Sequence, residues 1–151
     1  MIWSAHDDDQ AVLDGTTLQG GLPVTDASAT RFGVYVNDGT GSKMDYYARL
    51  GTSATWCGAG ANGDAIAALN VTISNDATED VADLDGYIHG GGAFGVPPGT
   101  ARTVAYIYLP EGATVASSRA SQSRSFGTAM HDGREVLIWT CLLYTSDAAD
   151  E

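Results

Sequence analysis

The sequence predicts a mostly β protein: an immunoglobulin-like antiparallel β-sandwich, incomplete at its C-terminal end, with one short N-terminal helix. Three observations carry that expectation. Apolar residues recur with a period of two over short runs, as in Phe32, Val34, Val36 and in Leu69, Val71, Ile73, the mark of strands with one buried face. Clusters of Gly, Pro, Asn and Asp separate those runs at the spacing of sheet-end turns. Only one stretch, at the N-terminal end, carries helix signals. At 151 residues there is enough chain to bury a core in one domain. The predicted division is 1-30 for an N-terminal strand, helix and loop, 31-140 for the sandwich, and 141-151 for a segment of different origin.

Met1 to Ser4 reads as a short apolar strand. His6 to Gly15 follows as a helix, with Asp7, Asp8 and Asp9 in a first turn that suits the helix dipole and Gly15 placed to end it. A histidine beside three aspartates also has the residue types of a metal site. Adjacent helical residues point in different directions, however, and calcium loops space their oxygens at alternate positions, so no metal is assigned. Thr16 to Thr30 is loop.

Arg31 to Leu50 is the most distinctive run and reads as a hairpin. Its strands flank Asn37-Asp38-Gly39-Thr40-Gly41, where the glycines supply the positive φ of a reversal. Gly51 to Gly63 reads as a Gly/Ala-rich connection carrying Trp56 and Cys57, and Leu69 to Asn75 as a strand. Asp76 to Asp85 is an acidic, solvated crossing, and Gly86 to His89 a short edge strand. Gly90 to Thr100 lacks the Gly-Lys-Ser/Thr ending of a phosphate loop and reads as a loop at a sheet end. Thr100 to Leu109 is apolar on both faces, the pattern of a central strand. Thr114 to Arg119 is a weaker strand. Phe126 to His131 and Arg134 to Thr140 form a hairpin about Asp132-Gly133, a type I′ signal. If 141-151 is foreign, Arg134 to Trp139 is an unpaired apolar edge that favours aggregation.

Composition excludes some functions. With seven Lys and Arg against nineteen Asp and Glu, the chain lacks the basic clusters that neutralise phosphates, so no nucleic acid is expected as a partner. No run approaches the roughly 18 apolar residues of a membrane helix. Cys57 has neither a C-x-x-C partner nor a histidine at ligand spacing, and is expected to be a small buried hydrophobe. Ser123, Ser125, His131 and Asp132 include the residue types of a hydrolytic triad without a nucleophile elbow. No catalytic residue, metal or cofactor is specified. The candidate ligand-binding residues are Asn37, Asp38, Asp45, Tyr47 and Trp56: carboxylates about a turn, with aromatic faces near them.

The last eleven residues, Cys141 to Glu151, resemble the translation of a transposase sequencing adapter. Setting aside Asp147, Asp150 and Glu151 takes the formal charge from −12 to −9. Four stretches resemble a family of large actinobacterial envelope proteins, catalogued as a domain of unknown function (DUF 4012). They are Ile2-Trp3-Ser4-Ala5-His6 with Gln10, Val34 to Tyr47, Val71 to Asn75, and Gly95-Val96-Pro97-Pro98-Gly99-Thr100. The resemblance is to the C-terminal portion of those proteins. It implies an extracytoplasmic domain, anchored to the membrane through sequence not present here, with cell-surface polysaccharide or another envelope protein as its partner. It carries no catalytic residues. The expected function is therefore a non-catalytic structural or interaction domain, with a carbohydrate-binding module as the alternative and an enzyme using Asp38 and Asp45 a more distant one.

Overall fold

A computed structural model describes residues 2–16, 18–122 and 125–145. They form a mostly β structure with antiparallel pairing and a short N-terminal helix. Helix α1 is Asp7–Leu13, and the strands are β1 Gly33–Asp38, β2 Ala48–Ala59, β3 Ala65–Asn75, β4 Ala101–Tyr108, β5 Gly127–His131 and β6 Arg134–Leu143. A four-residue helix, α2, spans Gly86–His89. One sheet has the order β1-β4-β6-β5, and a second consists of β2 and β3 alone. The chain divides into two compact units. One comprises Met1–Tyr35, Tyr106–Arg119 and Gly127–Ile138, the other Val36–Ala105, Ala120–Phe126 and Trp139–Glu151.

In the first unit, the acidic first turn of α1 is present and Gly15 follows the helix at φ +74°, the left-handed conformation that ends helices cheaply at glycine. Ile2–Ser4 is not a strand; the Ile2 N–H donates to Leu18 C=O. The β5–β6 hairpin turns at Asp132 and Gly133, both at positive φ (48° and 71°), as a type I′ turn requires. Thr114 to Arg119 is not a strand. Of its residues only Val115 is even half-buried, so there is no apolar face to hold against a sheet. Arg134 is buried, donating through Nη1 to Pro23 C=O and through Nη2 to the Glu111 carboxylate at 3.1 Å.

The second unit holds a core of Met44, Ala77, Val81, Ala101, Cys141 and Leu143, with Tyr47, Ile73, Ile88 and Trp139 packed against it. Here the predicted central hairpin is corrected. Met44–Tyr47 is a 3₁₀ helix, and β1 neighbours β4 in the sheet while β2 pairs with β3. The decisive spacing is three, not two. Met44 and Tyr47 share one side of the 3₁₀ turn and meet the core, whereas Tyr46 is left exposed. Residues 51–59 are not a connection but the outer length of β2. Gly86–His89 is helical, because the Asp85 carboxylate caps it by accepting the Tyr87 N–H at 2.8 Å. The acidic crossing contains a 3₁₀ helix, Glu79–Asp83, and is solvated only in part, since Ala77 and Val81 are buried.

Strand β4 lies between β1 and β6, as its two apolar faces predict. Arg134 to Trp139 is not an edge: β6 lies between β4 and β5. The strand continues through Leu143, with Cys141 at 0% and Leu143 at 8% exposure.

Asn75 ties the second unit together. It is 4% exposed and sits where β3 enters the core. Its Nδ2 donates to Gly99 C=O at 3.1 Å and approaches Leu143 C=O at 3.5 Å, while its Oδ1 accepts the Ala77 N–H at 3.1 Å. Both the donor and the acceptor end of the amide are thus engaged, as a buried amide requires.

Candidate functional site

The second unit presents two surfaces with functional potential. The first is built on the segment from Asn37 to Tyr47, which brings four of the five predicted residues into one continuous stretch. Asn37 is exposed at the end of β1. The Asp38 carboxylate accepts two backbone N–H groups, from Thr40 at 2.7 Å and from Ser42 at 2.8 Å. Both of its oxygens are thus engaged in shaping the turn. Ser42 Oγ accepts the Met44 N–H and so starts the 3₁₀ helix. Asp45 is exposed on that helix, and Tyr47 is half-buried against the core with its ring edge-on to Tyr46.

Backbone contacts fix this segment on two sides. Thr40 is completely buried, its Oγ1 accepting the Arg102 N–H at 2.7 Å, and the Gly39 N–H donates to Arg102 C=O at 2.7 Å. On the other side, the Lys43 N–H donates to Ile88 C=O. The glycine run beyond α2 forms an arch in which Gly90, Gly91, Gly92 and Gly95 all take positive φ. His89 is buried beneath it, its Nε2 donating to Leu84 C=O at 3.0 Å and its Nδ1 accepting the Gly91 N–H at 3.1 Å. Those partners fix one neutral tautomer, so both ring nitrogens already have structural partners.

Aromatic rings stand on this surface. Tyr46 and Tyr87 are exposed, with Lys43 Nζ 5.3 Å from the centre of the Tyr87 ring, a cation–π distance. Phe94 is 74% exposed with φ +57°, a conformation costly for a bulky side chain. Its ring lies against Gly41, where an added Cβ would come within 3.0 Å of it. Its carbonyl accepts from Arg102 Nη2 at 3.1 Å. Sequence reasoning passed over Thr40, Asn75, His89 and Phe94 as functional or organising residues. The one available signal was the run of three glycines, which announces a backbone that must bend sharply.

The second surface is the β2–β3 ribbon, which carries the fifth predicted residue, Trp56. The register runs from Ala48↔Asn75 to Trp56↔Ala67, shifts at a bulge between Trp56 and Gly58, and ends at Ala59↔Ala65. Strand alternation then puts Leu50, Thr52, Ala54 and Trp56 on one face with Ala67, Leu69, Val71 and Ile73. The opposite face carries Arg49, Ser53, Thr55, Asn70, Thr72 and Ser74. Ile73 reaches the core, but Arg49 to Ala59 are all exposed, and Trp56 is 63% exposed. Cys57, expected to be buried, lies exposed at the bulge; on this ribbon neither face of β2 has a core to enter.

His131 is exposed with Nδ1 3.2 Å from the Tyr108 hydroxyl, and Ser123 lies outside the described residues. Among the described residues, no three His, Cys, Asp or Glu side chains form a group able to hold a metal ion, and no helix is long and apolar enough to cross a membrane. Comparison with protein families, with curated proteins and with solved structures returned no match.

Proposed function

We propose that this chain is a non-catalytic, extracytoplasmic structural or interaction domain of a membrane-anchored bacterial cell-envelope protein, and that the β2–β3 ribbon is its docking arm. One observation carries the interaction reading. The ribbon presents an apolar face on which Leu50 and Trp56 are exposed and Leu69 and Val71 half-buried, and from Ala48 to Asn75 it carries only Arg49 and Asp64 as charges, in a chain of net charge −12. A two-stranded hairpin is marginal in water by itself, and depletion of charge with retention of apolar and aromatic side chains marks the core of protein interfaces. Leu69 and Val71 are half-buried and Trp56 is 63% exposed, so completing the burial of each aliphatic side chain against a partner is worth about half of the roughly 1.5–3 kcal/mol of full burial. The envelope placement rests on the resemblance of Val34 to Tyr47 and the other three stretches to the actinobacterial family. In this reading the sheets belong to an immunoglobulin-like sandwich, and the partner is another envelope protein.

The test is co-sedimentation of the purified chain with envelope fractions of its source cells, comparing wild type with Val71→Lys. Saturable binding lost in Val71→Lys, with the far-UV CD spectrum unchanged, supports the reading; equal binding by both proteins removes the ribbon from it.

The alternative, a carbohydrate-binding module acting on surface polysaccharide, is favoured by the exposed rings of Tyr46, Tyr87 and Phe94 in one unit. Exposed aromatic faces are suited to sugar stacking. Titration with cell-surface polysaccharide, followed by tyrosine fluorescence, separates the two readings. Only the carbohydrate reading expects saturation that Tyr87→Ala abolishes.

A further inference from the structure

Lys43 is the one lysine of a chain in which nineteen acids face seven bases, and among the described residues its ammonium pairs with no carboxylate. It rests instead 5.3 Å from the centre of the Tyr87 ring. The Tyr46 N–H donates to Lys43 C=O at 3.1 Å, the i to i+3 bond that sets two side chains on one side of a 3₁₀ turn. Lys43 thus joins two exposed rings, Tyr46 and Tyr87. Phe94 stands against Gly41, two residues before it. The neighbouring acids face other groups. Asp38 and Asp85 hold backbone N–H groups, and Asp45, two residues past Lys43, falls on a different side of the 3₁₀ turn.

Each ring is also fixed through its backbone. Lys43 C=O holds the Tyr46 N–H, the Asp85 carboxylate holds the Tyr87 N–H, and Arg102 Nη2 holds Phe94 C=O. Phe94 keeps φ +57° while its ring stays exposed, so burial within the chain does not offset that strain, and strain of this kind gathers at ligand clamps. Rings held in place beforehand lose little freedom when a ligand arrives. We propose that Lys43, Tyr46 and Tyr87, with Phe94 beside them, bind a polysaccharide of uronic acids: the rings stack on sugar faces and the ammonium pairs with a sugar carboxylate. This rests on the carbohydrate reading of the ring-bearing surface, whose ligand class it names, and is independent of the ribbon. Two arguments select the occupant. A carboxylate gives the unpaired ammonium a charge-assisted hydrogen bond that a neutral sugar cannot. Peptides dock in grooves or along strand edges, whereas these rings stand on a 3₁₀ helix, a four-residue helix and the glycine arch.

The experiment is isothermal titration calorimetry of the full chain with three probes. Oligogalacturonate carries rings and charge, its methyl ester keeps the rings without the charge, and polyglutamate keeps the charge without the rings. Wild type is compared with Lys43→Met and Tyr87→Ala. Lys43 is exposed and methionine retains an apolar stem, so the fold is kept, as CD will verify. Oligogalacturonate is expected to bind wild type, and Lys43→Met to weaken that binding about fivefold, the upper end for an exposed ion pair. Added salt should weaken wild type more than the variant, and Tyr87→Ala should abolish binding. The methyl ester should bind wild type and Lys43→Met alike, about as weakly as the variant binds the acid. Equal affinity of wild type for acid and ester overturns the carboxylate; if Tyr87→Ala still abolishes it, the carbohydrate reading survives alone, and if binding ignores Tyr87, both fall. Absence of binding to either saccharide also removes both. Polyglutamate bound as tightly as oligogalacturonate overturns the sugar as ligand.

Discussion

Replacing Asn75 tests how the second unit is held together. Asn75→Ala removes an amide that serves three backbone groups in a site only 4% exposed. The bonds to Gly99 C=O and from the Ala77 N–H, both at 3.1 Å, are worth about 1 kcal/mol each net, while the 3.5 Å approach to Leu143 C=O adds little. The larger cost is what remains. A buried carbonyl and a buried N–H without partners cost about 1–3 kcal/mol apiece, so the expected loss is about 2–6 kcal/mol, a large share of a typical domain's stability. Asn75→Asp is the sharper probe. It keeps an acceptor for the Ala77 N–H but sets an anionic oxygen against the Gly99 and Leu143 carbonyls, so near neutral pH it should destabilise more than alanine. Protonation restores a donor, so the Asp variant should recover relative to Ala as pH falls. Urea denaturation followed by CD, at pH 7 and at pH 5, measures both differences. A loss below 0.5 kcal/mol for Asn75→Ala, or an Asp variant as stable as wild type at pH 7, would refute the bridging role.

Gly133→Ala places a Cβ at φ +71° with no heavy atom within 4 Å, so its cost is backbone strain alone, about 1–2 kcal/mol, read as a lower urea midpoint with unchanged slope. Hydrogen bonding from the Ser28 hydroxyl, then the Arg31 guanidinium and the Ser28 N–H, holds the Asp26 carboxyl well below the ordinary carboxylate range. Because the folded-state value is depressed, the turn is favoured above pH 4 or so and loses that contribution as pH falls further. NMR titration of Ser28 and Ala29 amides should show it, and Asp26→Asn should flatten the pH response. Ending the chain at Thr140 removes Cys141 and Leu143 from the core and is expected to lower stability by about 3 kcal/mol or more, measured by denaturant unfolding; unchanged stability would mean that these side chains contribute nothing to the native packing.

Much of the β structure was legible where strands meet a core. Leu69, Val71 and Ile73 alternate as one half-buried face of β3, of which Ile73 reaches the core, and Asp132-Gly133 announced its turn because two consecutive positive φ angles demand those residue types. The hairpin expected about Asn37–Gly41 failed for a physical reason of the same kind. The Asp38 carboxylate and Ser42 hydroxyl offer the backbone local acceptors that wind it into a 3₁₀ turn, and Met44 and Tyr47 then reach the core three residues apart. Pattern reading sees burial, and so it overlooked the outer half of β2. Thr52 to Ala59 touch no core on either face, and a strand so placed need not alternate. The candidate residues divide on the same ground. Asp38 is recognisable as a turn-former from its neighbours, whereas Trp56 gains its meaning only from an exposed ribbon that local periodicity could not reveal. A large indole kept in water on an almost uncharged ribbon is costly to leave uncovered, and that unmet burial makes the ribbon the first place to look for a partner.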